Sequence, residues 1–114
     1  MRPPSPAEVE TALVRLMETL VAWGAIKVIL LGSVARGNYT AVSDIDLIVV
    51  KETPEPRVQR IAGALDRCWS VNPPLPVEPL VYRPDEFARL VADEDPLIGE
   101  ALRHGRILFD QARA

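Results

Sequence analysis

Two apolar runs, Ile26–Leu31 and Leu47–Val50, flank a polar stretch that begins Gly32-Ser33 and ends Asp44-Ile45-Asp46. Runs this short and this rich in branched aliphatic residues read as buried strands, and the glycine after the first allows a sharp change of direction. Residues 26–50 are therefore expected to form strand, loop and strand, with the rest of the chain packed around them. Asp44 and Asp46 lie two apart on the second strand, so their carboxylates should leave one face, roughly 7 Å apart at the backbone. Two like charges in that position repel unless cations hold them.

Other readings of the Asp-x-Asp fit the neighbouring residues less well. A helix N-cap at Ser43 would lead into Ile45-Asp46-Leu47-Ile48-Val49-Val50, which is a β-branched strand former. A calcium loop would need oxygen ligands and a glycine downstream of Asp46, where Ile48, Val49 and Val50 stand. A solvated strand end remains, but metal ligation by both aspartates better explains a pair of acids behind a Gly-Ser turn.

Upstream, Ser5-Pro6-Ala7-Glu8 has the form of a capping box with proline in the first helical position. Residues 1–5 would precede it as a disordered arm. Val9, Leu13, Leu16, Met17 and Leu20 then recur at helical spacing, and Gly24 is a natural stop. Trp23 belongs at the core edge. Beyond the second strand, Thr53-Pro54 is expected to cap a helix whose apolar stripe is Val58, Ile61, Ala62, Leu65 and Trp69. Cys68 on that helix reads as a small buried hydrophobe, because no histidine is near it in sequence.

Val77–Tyr82 reads as a third strand, and Pro79, which cannot donate to a ladder, argues for an edge position. Glu78 inside that apolar strand needs a reason, either a ligand role or a side chain turned to solvent. A helix containing Phe87, Leu90 and Val91 follows, then an acidic Asp93-Glu94-Asp95 and a last helix over Pro96–His104. His104 is favoured there by the helix dipole. Ile107-Leu108-Phe109 is expected either to add a short strand or to pack on the core.

A chain of 114 residues has room for one core, so 1–114 is read as a single domain. Its net charge of −3 disfavours a phosphate backbone as the main partner. No apolar run approaches the roughly 20 residues of a membrane span, which leads to the expectation of a soluble protein. One cysteine and no apolar secretory segment at the N-terminus lead to the expectation of a cytoplasmic one.

Gly32-Ser33, ten intervening residues and Asp44-Ile45-Asp46 resemble the DNA polymerase beta-type nucleotidyltransferase signature. Ala35-Arg36-Gly37 and Ser43-Asp44-Ile45-Asp46-Leu47 sharpen the resemblance toward the small prokaryotic minimal nucleotidyltransferases. It implies an α/β (α+β) polymerase beta-like fold, with a three-stranded mixed sheet and helices mainly on one face. The other face would carry Asp44, Asp46 and, as third acid, Glu78, where the family usually has aspartate. It further implies two magnesium ions held by these three residues, ATP as substrate, and phosphates contacted by Gly32, Ser33 and Arg36. Arg36 is equally readable as a solvated arginine, and Tyr39 in the polar loop 38–42 either stacks or is exposed.

The acceptor is not fixed by these residues, and three readings of the chain's role stay open, the first of them suggested by the resemblance. The first candidate is a partner protein, typically a small helical HEPN ribonuclease, modified by an antitoxin-like enzyme. The second is a small molecule, as in aminoglycoside adenylyltransferases, with a homo-oligomer or separate subunit completing the site. The third is a non-catalytic subunit that only holds a nucleotide or partner.

Overall fold

The computed structural model describes residues 1–113. Helix α1, Pro6–Trp23, starts at the expected capping box: the Glu8 amide donates to Ser5 Oγ, and the Ser5 amide donates to Glu8 Oε1. It ends at Gly24, which takes up a left-handed conformation. Strand β1, Ala25–Leu31, runs into the short helix α2, Gly32–Arg36, and a loop leads to strand β2, Ile45–Lys51. Helix α3, Arg57–Trp69, then carries the chain to strand β3, Val77–Tyr82. Helices α4, Pro84–Ala92, and α5, Pro96–His104, are followed by strand β4, Arg106–Asp110, and a 3-10 turn, Gln111–Arg113.

The sheet has four strands in the order β3-β2-β1-β4, not three. The segment Ile107-Leu108-Phe109 supplies the extra one, pairing antiparallel with β1 through a register shift. The sheet is mixed, as expected: β1 and β2 are antiparallel, whereas β2 and β3 are parallel. Strand β3 is at an edge, where Pro79 is tolerated.

Side chains alternate between the faces, and both faces are packed. On the first, Val28, Leu30, Ile45, Leu47, Val49, Val77 and Val81 meet Val9, Leu13, Leu16 and Leu20 of α1 and Ala64 and Cys68 of α3. The two longest helices therefore share one face, as the sequence leads one to expect. The second face is not bare, however. Phe87 of α4 and Ile98 and Ala101 of α5 cluster there with Ile29, Ile48, Val50 and Tyr82. Both helices are amphipathic, and an apolar sheet row leaves them a surface on which to bury their stripes.

Helix α3 differs from its sequence reading. Its buried residues are Arg60, Ala64 and Cys68, while Val58 and Trp69 stand 76% and 73% exposed. Arg60 can turn inward because its guanidinium donates to the Glu55 carbonyl at 2.5 Å and to Glu86 Oε1 at 2.6 Å. Thr53 does not cap the helix; its hydroxyl accepts from the Glu55 amide instead, and Pro56 occupies the N-cap. Cys68 is buried as expected, which pushes its thiol up to about 11. Trp23 packs at the core margin between Lys51 and Arg67, with their cationic groups 4.7 and 5.4 Å from its ring. No helix among the described residues is long and apolar enough to cross a membrane.

Candidate active site

Register places the acids. Leu31 of β1 pairs with Asp46 of β2, and Asp46 pairs with Glu78 of β3, so the three form one row across the sheet. The next row on that face is Ile29, Ile48 and Leu80. Asp46 and Glu78 thus occupy the last row of the second face, beyond the strip that α4 and α5 seal. Asp44 lies just ahead of β2 rather than on it, held between the turn at Ser43 and Ile45, whose amide donates to the Pro76 carbonyl at 2.7 Å. Asp44, Asp46 and Glu78 each offer a carboxylate oxygen within 4.8 Å of the others.

Three acids so close are electrostatically costly without a cation. Burial raises the Asp46 carboxyl above its ordinary range, and the charges of Glu78 and Asp44 add to the shift. An all-oxygen, all-anionic set of this kind fits a hard divalent cation.

Gly32 is fitted to the same group. Its backbone is left-handed, with φ of 78°, and a Cβ there would sit 2.5 Å from Asp46 Oδ2. Any side chain would displace the carboxylate, so glycine suits both the conformation and the place of Asp46. Ser33 follows in the first turn of α2, half-buried. The sequence signalled this glycine as a turn residue; that it makes room for Asp46 depends on the pairing of Leu31 with Asp46 and could not be read from spacing.

Beside the acids opens a cavity of about 280 Å³ lined by Asp46, Glu78, Leu31, Leu47, Ile48, Pro79, Leu80 and Leu97. Its apolar walls went unnoticed in the sequence, since Leu97 arrives from α5, far along the chain. Arg36 is not part of this cavity. It is exposed at the end of α2 and lines a separate one with Tyr39, Arg106 and the N-terminal arm, where the Tyr39 hydroxyl donates to the Pro4 carbonyl at 3.1 Å. His104 ends α5, as expected.

A mixed sheet that presents a carboxylate triad beside a Gly-Ser turn and a short helix is an α/β domain with a place for a divalent cation. The chain belongs to the nucleotidyltransferase domain family, whose model matches residues 13–107. It is also similar in structure to a protein from Sulfolobus solfataricus assigned as a nucleotidyltransferase. That likeness has a TM-score of 0.55 and 19% identity over 97% of this chain and 94% of that one, and it supports the fold. No curated protein matches the chain. The acidic triad fits the metal-dependent nucleotidyl transfer that the family implies.

Proposed function

We propose that this domain transfers AMP from ATP to a hydroxyl group on a partner protein, a small helical HEPN-type ribonuclease whose toxicity the modification would restrain. The observation that carries the chemistry is the convergence of Asp44, Asp46 and Glu78 within 4.8 Å. Magnesium, as a pair of ions, suits these oxygen ligands, and when bound there it would offset phosphate charge and lower the pKa of the acceptor hydroxyl.

The chain's own residues do the rest. Asp44, Asp46 and Glu78 supply the anionic ligands, and Gly32 leaves Asp46 space to do so. Ser33 and the amides at the start of α2 are donors able to orient the triphosphate, which favours in-line attack. No histidine or lysine stands among the residues lining the acid cavity, so proton removal from the acceptor relies on its lowered pKa.

A protein acceptor is supported by what the site lacks. A cavity of about 280 Å³ lies just under the range of ordinary ligand sites, and apart from Asp46 and Glu78 its walls are apolar, which leaves few groups to hold the hydroxyls of a polyhydroxylated small molecule. Exposed Val58 and Trp69 on α3, next to the edge strand β3, give a partner protein apolar surface to cover.

The test is incubation with magnesium and α-labelled ATP in a lysate of the host, beside an Asp44→Asn, Asp46→Asn double variant. The expected result is one labelled protein, absent with the variant. Label confined to small molecules would favour a small-molecule adenylyltransferase completed by a second subunit. ATP binding with no label anywhere would favour a non-catalytic subunit.

A further inference from the structure

Asp44 is the one member of the triad that no strand holds, since β2 begins at the residue after it. Its backbone position is set from both sides by hydrogen bonds. Downstream, the Ile45 amide is tied to the Pro76 carbonyl. Upstream, the turn Thr40–Ser43 is closed reciprocally: the Thr40 amide donates to Ser43 Oγ at 2.8 Å, and the Ser43 amide donates to the Thr40 carbonyl at 3.3 Å. The Val42 amide donates to Thr40 Oγ1 at 3.3 Å, and the two hydroxyls are 3.4 Å apart. Val42 itself is 80% exposed, so no hydrophobic packing braces its part of the turn.

We infer that Ser43 is a positioning residue for the acidic site: its hydroxyl closes the turn that delivers the Asp44 carboxylate to Asp46 and Glu78. The inference rests on the reading of the triad as a metal site. Its physical basis is that a loop carboxylate without such bracing samples many positions, and ordering it at the moment of cation binding costs conformational entropy. Pre-closing the turn removes that cost beforehand. Outer-shell groups that hold a ligand in place typically contribute a factor of 10–100 in metal affinity.

The test is Mn2+ affinity, followed by the paramagnetic resonance signal of the free ion, with thermal stability measured alongside. Ser43→Ala should bind Mn2+ about 10-fold more weakly than wild type at nearly unchanged Tm, the low end of the outer-shell range. Ser43→Thr, which keeps the hydroxyl, should restore most of the affinity. Tyr39→Phe removes a different tether of the same loop, the bond to Pro4, and separates positioning from general loosening. It should leave Mn2+ binding near wild type; a loss equal to that of Ser43→Ala would overturn the inference. So would unchanged affinity in Ser43→Ala while Asp44→Asn binds poorly. If Asp44→Asn binds Mn2+ as well as wild type does, the metal reading itself fails and this inference falls with it.

Discussion

Along β2 the side chains of Asp46, Ile48 and Val50 leave the same face of the sheet, yet the two ends of that face are opposites. At one end Ile48 and Val50 lie under Phe87, Ile98 and Ala101, with Ile48 fully buried. At the other, Asp46 meets Glu78 on the neighbouring β3 and Asp44 from the loop. Removing an aliphatic side chain such as Ile48 from water stabilises the fold by roughly 1.5–3 kcal/mol. The same partial burial works against the ionised Asp46 and raises its pKa. One strand thus contributes stability through its sealed rows and chemistry through the row left open. A carboxylate held in a disfavoured state is one that a cation can relieve.

The largest expected effect breaks the open end. Asp46→Asn should lower nucleotidyl transfer by at least roughly 100-fold, since a ligand should matter no less than the outer-shell groups that orient it. A rate within a few-fold of wild type in a steady-state assay would sink the catalytic role of the triad.

The next effect breaks the sealed end. Ile29→Ala, in a fully buried position under α5, should destabilise the fold by about 3 kcal/mol in denaturant unfolding while leaving folded protein able to bind Mn2+. Loss of Mn2+ binding in fully folded protein would mean that the two ends are coupled more tightly than their separate packing suggests.

A paired substitution sharpens the contrast further. Gly32 and Gly37 have nearly the same left-handed backbone, φ of 78° and 79°, but a Cβ at Gly37 meets nothing within 4 Å. Each change to alanine should cost about 1–2 kcal/mol in backbone strain. Only Gly32→Ala should also weaken Mn2+ binding, because only there does the new methyl displace the Asp46 carboxylate.

The smallest effect is a pH dependence. Asp46 binds its proton more tightly in the folded chain than in the unfolded one, so folding is penalised once the group ionises. The penalty is absent at pH values below the ordinary aspartate range. It grows as pH rises toward the raised folded value and then stays constant. Asp46→Asn should therefore have a higher Tm than wild type at neutral pH, and the two should converge in acid. Magnesium should raise the Tm of wild type and leave that of the variant nearly unchanged.

Much of this was legible in local sequence, where the physics is local. The capping box at Ser5, the glycine stop at Gly24, the β-branched strands and the Gly-Ser and Asp-x-Asp pair all act over a few residues. The α3 stripe was not legible for the opposite reason. A helix buries arginine only when its charge is met, and the partner of Arg60 is Glu86, on another helix that follows a further strand. Pattern alone therefore turned α3 so that Val58 and Trp69 faced inward, when they lie outside. The fourth strand was ambiguous on similar grounds: Ile107-Leu108-Phe109 becomes a strand only because β1 offers it a free edge.

For the site, the sequence by itself determined the identities of the acids, the turn before them and the strand on which Asp46 stands, because these follow from residue type and the two-residue period of a strand. Tertiary structure decided what they amount to. The parallel register of β2 and β3 sets Glu78 opposite Asp46, and the pairing of β1 with β2 brings Gly32 against its carboxylate. Helices α4 and α5 seal the adjoining rows and leave this one open. Contacts of that kind join residues far apart in the chain, and their energies exist only once the sheet has formed.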